Sequence, residues 1–187
     1  MRITAGRFKG HRLPSPRADG VRPTTERVRE AVFSSLGTLI HDAHVLELFA
    51  GTGAFGFEAL SRGARFTVFV ENDRKTAGIL ARTARALNVE GDALILNRPA
   101  LQAVRWLDNR GDEFHVIFLD PPYGEDRIPG VLHDPLFLSL LAPDGVVIVE
   151  REARVRNSSI PSRLQKRFER KYGDTLIEML HLVPQDM

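Results

Sequence analysis

The chain has 187 residues, of which 43% are hydrophobic and 27% charged, with a formal net charge of +2. That size accommodates one compact domain with a full core and a small appendage, and leaves no room for a second large domain. Cysteine is absent, which excludes disulfides, thiolate metal sites and cysteine nucleophiles, including pyrimidine C5 methylation through a cysteine adduct.

No apolar run approaches the roughly 20 residues needed to span a bilayer, and Met1-Arg2-Ile3-Thr4 is not followed by the apolar stretch of a signal peptide. A soluble, cytoplasmic protein is expected. Its charge is uneven: residues 1–41 and 151–173 each carry eight Lys/Arg, against three and two Asp/Glu, whereas 42–150 carry ten basic and sixteen acidic residues. Two basic flanks around an acidic centre suit a phosphate-binding surface beside a catalytic core, because Lys and Arg release counterions from nucleic acid. They equally suit two solvated faces.

In chain order, Arg2–Leu13 alternates in character around Gly6 and Gly10 and predicts a β-hairpin. A Pro/Gly-rich connection, Pro14–Pro23, follows. A helix then opens at Thr24 or Thr25, with Val28, Val32, Leu36, Leu39 and Ile40 along one face. From Asp42 to Glu150 short β-branched or aromatic runs alternate with amphipathic segments. His44–Phe49, Arg65–Glu71, Asp92–Asn97, Phe114–Asp120 and Gly145–Glu150 predict strands; 54–62, 73–88, 99–109 and 128–141 predict helices. Repeated strand and helix imply a parallel sheet with helices on both faces, and ligands outside the carboxyl ends of its strands. Leu164–Tyr172 and Thr175–Val183, joined by a tight turn at Gly173-Asp174, predict an antiparallel pair that closes the sheet.

Two motifs carry chemistry. Glu47-Leu48-Phe49-Ala50-Gly51-Thr52-Gly53-Ala54-Phe55-Gly56 ends the first strand and opens a helix through G-x-G-x-x-G, where the backbone must turn sharply and admit a ligand. Glu71 ends the second strand, where a carboxylate can accept both hydroxyls of a ribose. So far a nicotinamide dinucleotide and S-adenosylmethionine fit alike. Glu47 would repel a pyrophosphate and welcome a methionine ammonium, which favours the sulfonium cofactor. The second motif, Asp120-Pro121-Pro122-Tyr123, ends the fourth core strand on the same sheet edge. An exocyclic base amine is a poor nucleophile because its lone pair is delocalised. The Asp120 side chain and Pro121 carbonyl can accept its two protons and aim the lone pair at a sulfonium methyl. Consecutive prolines stiffen the loop and bring no competing N–H, and Tyr123 can stack on the displaced base. Six histidines lack ligand spacing, so no metal site is expected.

The glycine loop and Asp-Pro-Pro-Tyr resemble amino-methyltransferases of the Rossmann-like class. Ile3-Thr4-Ala5-Gly6, Arg22-Pro23-Thr24-Thr25-Glu26-Arg27-Val28-Arg29-Glu30, Glu58-Ala59-Leu60-Ser61-Arg62-Gly63 and Tyr172-Gly173-Asp174-Thr175 extend the resemblance to nearly the whole chain. The pattern is similar to that of the bacterial RsmD family, 16S ribosomal RNA guanine-N2 methyltransferases that modify guanine 966. The resemblance implies an α/β fold: a doubly wound, seven-stranded Rossmann-like sheet, mostly parallel, with an antiparallel C-terminal strand. It also implies a hairpin extension and linker over 1–23 and a methyltransferase domain over 24–187.

By the same resemblance, Glu47, Gly51 and Gly53 hold the methionine part of S-adenosyl-L-methionine and Glu71 its ribose. Phe49, Ala50, Thr52, Asn72 and Asn97 complete the cofactor site. Asp120, Pro121, Pro122 and Tyr123 bind the target base. Arg2, Arg7, Lys9, Arg12, Arg22, Thr24, Thr25, Arg27 and Arg29 contact RNA. The partner is 16S ribosomal RNA in the small subunit or its assembly intermediate, and the enzyme is expected to be a monomer. One departure falls at Asn97-Arg98-Pro99-Ala100, where Pro99 offers no side-chain contact to an adenine edge. A DNA amino-methyltransferase shares the loop chemistry but needs a target-recognition domain for which there is no room; a non-catalytic RNA-binding assembly factor would not need an intact Asp-Pro-Pro-Tyr.

Overall fold

The computed structural model describes residues 1–14, 26–122, 127–154 and 159–183. Seven strands are present: β1 His44–Leu48, β2 Phe66–Val70, β3 Ala93–Leu96, β4 Phe114–Leu119, β5 Leu141–Glu152, β6 Leu164–Tyr172 and β7 Thr175–Leu182. They form one sheet in the order β3-β2-β1-β4-β5-β7-β6. The pairs from β3 to β5 are parallel, and β7 runs antiparallel to both β5 and β6. The doubly wound, mostly parallel architecture is thus the one expected, and its strand order reverses between β1 and β4, the switch point where such sheets bind ligands.

Helices α1 Glu26–Leu36, α2 Ala54–Ser61, α3 Arg74–Ala86 and α4 Ala100–Asp108 cover the sheet. The side chain of Asp73 accepts the Thr76 N–H at 2.8 Å and starts α3 as an N-cap. The expected helix over 128–141 is two short helices, α5 Ile128–Leu132 and α6 Pro135–Ser139. Pro135 disfavours a helical residue before it, so Asp134 is extended and instead caps Leu136 N. Strand β5 is also longer than expected, beginning at Leu141, with a register irregularity opposite Phe114 and Val116.

The alternation of strand side chains divides the core. Leu46, Leu48, Val68, Val70, Ile117 and Leu119 pack with α4, α5 and α6. Val45, Val116, Phe118 and Ile148 pack with α1 on the other face, where Phe55 stacks on Phe33 at 4.6 Å and on Phe118 at 4.1 Å. Trp106 is half-buried on α4, with the guanidiniums of Arg98 and Arg110 over its ring at 5.1 and 4.6 Å.

The expected N-terminal hairpin is a turned loop closed by a single antiparallel bridge, Arg2 to Arg12, rather than two strands. Glu58 on α2 is why. Its carboxylate accepts the Thr4 N–H, the Thr4 hydroxyl and the Ala5 N–H at 2.8, 2.7 and 3.0 Å, and pairs with Arg62 at 2.8 Å and Arg29 at 3.4 Å. Burial alone would raise its pKa, but Thr4 and Arg62 outweigh that and hold it low. The Thr4 and Ala5 N–H groups are therefore bonded to a helix, and only the arms on either side of them bond each other, Ile3 N–H to the His11 carbonyl at 3.0 Å and Gly10 N–H to the Ile3 carbonyl at 2.9 Å. Arg7 N–H donates to the Ser61 carbonyl at 2.8 Å, and a Cβ on Gly6 would lie 1.9 Å from that oxygen, so only glycine fits there. Ile-Thr-Ala-Gly and Glu-Ala-Leu-Ser-Arg are two halves of one contact.

Candidate active site and nucleic-acid interface

The sheet register builds the site. Leu96, Val70, Leu48, Leu119 and Val149 form one paired row across β3, β2, β1, β4 and β5. The next residue of each strand, namely Asn97, Glu71, Phe49, Asp120 and Glu150, therefore lies on one rim at the carboxyl edge, with neighbouring strands about 4.8 Å apart. Sequence spacing placed these residues at strand ends one by one; the register makes them neighbours.

Between Phe49 and the start of α2 the backbone is left-handed at Phe49, Gly51 and Gly53, with φ of 60°, 54° and 75°. Such angles are unfavourable for Phe49, which is held by a core contact and by the Ala50 N–H donating to the Val70 carbonyl at 2.9 Å. A Cβ on Gly51 would meet nothing within 4 Å, so the loop's outer side is open to a ligand. Inward, Gly56 is tight: a Cβ there would lie 2.4 Å from the Phe69 ring and 2.8 Å from Glu47. The third glycine of the motif serves helix-to-strand packing. Thr52 is buried within the loop.

Glu47 is only 3% exposed. Its two oxygens accept the N–H groups of Phe55 and Gly56 at 3.2 and 2.9 Å, which satisfies two orphan donors of α2. Burial pushes its pKa up to about 8 despite those donors and the charge of Arg29. The carboxylate expected to face a cofactor ammonium is thus first of all a cap beneath the glycine loop. Glu71 accepts the Gly51 N–H at 2.8 Å and the Asp73 N–H at 2.7 Å. The Asn97 amide donates to the carbonyls of Glu71 and Asn72 at 2.8 and 2.9 Å and so steadies this loop, with Asn72 exposed at its outside. Pro99 is the exposed N-cap residue of α4.

Asp120 is half-buried at the rim, Pro121 buried and Pro122 exposed. Tyr123 lies outside the described residues, as do Arg22, Thr24 and Thr25. The remaining RNA candidates separate. Arg2, Lys9, Arg12 and Arg27 are exposed, and Arg7 is exposed but pairs with Asp92 at 3.4 Å. Arg29 corrects the expectation: it is 1% exposed, tied to Glu58 and to the Arg2 carbonyl, so a buried ion pair replaces the surface contact. Arg7 sits at the far edge of the sheet from the rim. It bonds Ser61, the last residue of α2, and Asp92, which precedes β3; both mark the amino edge of the sheet, opposite Asp120. Sequence reasoning missed Glu58, whose only signal was its place in a family motif.

This sheet, with its switch-point rim, is the Rossmann-like fold of S-adenosylmethionine-dependent methyltransferases. The fold alone is shared with a SAM-dependent methyltransferase from Agrobacterium tumefaciens at 22% identity and a TM-score of 0.60, covering 79% of this chain and 50% of that one. Closer similarity extends through the whole chain. A structure described as "Putative methyltransferase yhhF" from Escherichia coli matches at 29% identity and a TM-score of 0.84, covering 99% of both chains. The Ribosomal RNA small subunit methyltransferase D of Escherichia coli K12 is 34% identical over 177 residues, 92% of this chain and 85% of that protein. Residues 1–181 match the family described as "Conserved hypothetical protein 95". The chain belongs to this family, the RsmD family that its motifs resemble.

Proposed function

We propose that this protein is a cytoplasmic, monomeric S-adenosylmethionine-dependent methyltransferase that modifies the exocyclic N2 of guanine 966 in 16S ribosomal RNA of the small subunit. The observation that carries the reading is the register pair Leu48–Leu119, which sets Asp120 beside the open glycine loop. Kinship with ribosomal RNA small subunit methyltransferase D of Escherichia coli supports the substrate class.

The rim fits the cofactor. Glu71 offers a carboxylate whose oxygens each retain a lone pair for ribose hydroxyls after receiving one N–H. Gly51, where a Cβ would meet nothing within 4 Å, leaves backbone open for the methionine part, and Glu47 beneath the loop is the carboxyl group that a bound ammonium would ionise. When bound, the sulfonium supplies an electrophilic methyl group. The protein's own part is positioning and electrostatics: Asp120 oxygens and the Pro121 carbonyl accept the two amine hydrogens, localise the nitrogen lone pair, and offset the positive charge that grows on it. Pro121 and Pro122 restrict the loop and Tyr123 stacks on the base.

The test is incubation with methyl-labelled S-adenosylmethionine and small subunits lacking the modification, followed by mapping of the methylated nucleotide. Label at guanine N2 of position 966 is expected. Label in DNA adenine or cytosine, or at another ribosomal position, would overturn this specificity.

A further inference from the structure

Arg27 and Val28 at the start of α1, together with Arg170, Lys171, Tyr172 and Thr175 of the β6–β7 hairpin, border a groove of about 390 Å³. We propose that this groove holds the phosphate backbone of the RNA strand flanking the target base. The proposal rests on the functional reading above and extends it from Arg27, which the resemblance assigns to RNA, to the β6–β7 hairpin, which it does not.

Three observations converge. First, among the described residues none that lines the groove is acidic, and neither Arg170 nor Lys171 makes an ion pair; the cations nearby do, Lys166 with Glu169 and Glu178 and Arg151 with Glu178. Three cations around a concavity concentrate positive potential. Charge complementarity thus names a polyanion as the occupant. Second, the Arg170 guanidinium lies over the Tyr172 ring at 5.4 Å. The stacking fixes the arginine's plane while leaving its N–H groups to donate. Third, the groove lies on the catalytic edge. Strand β5 pairs with Leu119 through Val149, then runs on to Glu152, which pairs with Thr175; Tyr172 pairs with the same Thr175. From the rim to the groove is roughly 10 Å along β5 and roughly 10 Å across two strand spacings, a span that a few nucleotides bridge. Arg7, by contrast, is neutralised by Asp92 at the opposite edge.

Phosphate contacts of this kind change the salt dependence of binding as well as its strength, by about one unit of log–log slope per contact. The experiment is fluorescence anisotropy of a labelled 16S ribosomal RNA fragment against salt, with calorimetry of S-adenosylmethionine binding on each protein. The double variant Arg170→Glu/Lys171→Glu should bind RNA at least about tenfold more weakly with a slope lower by about two, and Arg27→Glu should lower the slope by about one. Cofactor affinity should be unchanged, which shows the fold intact. Arg65→Glu/Arg85→Glu, an equal charge change at the amino edge, should leave RNA affinity within about twofold, since surface charges beyond a Debye length are screened. Equal losses in the two double variants, or no loss in either, overturn the groove while methyl transfer by the wild type still upholds the function. A wild type that neither binds the RNA nor methylates it overturns both.

Discussion

Glu71 accepts the backbone N–H of Gly51 at 2.8 Å, across 20 residues of chain, so the carboxylate that ends β2 holds the loop that follows β1. Its other oxygen takes the Asp73 N–H at 2.7 Å. One side chain thereby pre-sets both loops before any ligand arrives, and pre-organisation of this sort reduces the ordering cost of binding.

Glu71→Ala should consequently weaken S-adenosylmethionine binding by about 10- to 100-fold, the loss of a hydrogen bond to a charged group being worth about 1.5–3 kcal/mol. Glu71→Gln, with one acceptor oxygen kept, should fall between alanine and wild type. Calorimetric titration gives both values; an alanine variant that binds as well as wild type would remove Glu71 from the cofactor site.

Glu47 predicts a pH dependence of stability. With its folded pKa raised to about 8 from 4.5 by burial, the native state holds the proton more tightly than the unfolded chain. Its contribution is full below about pH 4.5 and is lost as the pH rises through about 8. Thermal melts should show this decline, and Glu47→Gln should flatten it while lowering the melting temperature, because an amide nitrogen cannot accept an N–H of α2. Superimposable pH profiles for the two proteins would contradict the assignment. A cofactor ammonium near Glu47 would also expel its proton, so at pH 7 binding should release up to about one proton, read by calorimetry in buffers of different ionisation enthalpy.

Asp120 is tested on the chemical step. Asp120→Ala should lower the single-turnover rate by about 10²- to 10³-fold, the range for loss of one pre-organised polar group at a reacting centre, with cofactor affinity nearly unchanged. Asp120→Asn separates two contributions: it keeps one acceptor oxygen, so substantial activity means acceptance dominates and near-total loss means the negative charge does. An alanine variant with wild-type turnover would show that the rim after β4 is not where the amine is held.

Glu58 is tested on stability. Glu58→Ala removes the carboxylate paired with the buried guanidinium of Arg29, 1% exposed, and should cost about 3–5 kcal/mol in urea unfolding. Replacing both with apolar residues, Arg29→Met/Glu58→Met, should cost less than the two single changes added together, because neither charge is then left alone. Strict additivity would show that the pair is not coupled.

The strands, the crossovers and the residues that end at the rim were legible in the sequence because each depends on local pattern. Strand β1, expected over 44–49, ends at Leu48, and its neighbours shift by one residue in the same way, since a strand's apolar run and the glycine or proline that stops it sit side by side in the chain. The Gly173-Asp174 turn joins β6 and β7 as expected, its chemistry being carried by two adjacent residues. The break at His133-Asp134 also had a local signal in Pro135, outweighed in the sequence by the continuous apolar spacing on either side.

Tertiary structure alone decided which charges are surface and which are core. In the sequence Arg27 and Arg29 are equivalent members of one basic motif; in the fold Arg27 is exposed and Arg29 is buried, because Glu58, 29 residues further along, arrives beneath only the latter. Likewise the N-terminal segment's alternation and glycines specify a reversal of the chain, but its bonds to Ser61 and Asp92 hold Arg7 at the amino edge of the sheet. Residue type determines what a side chain can pair with, and burial with a partner distant in sequence determines whether it does.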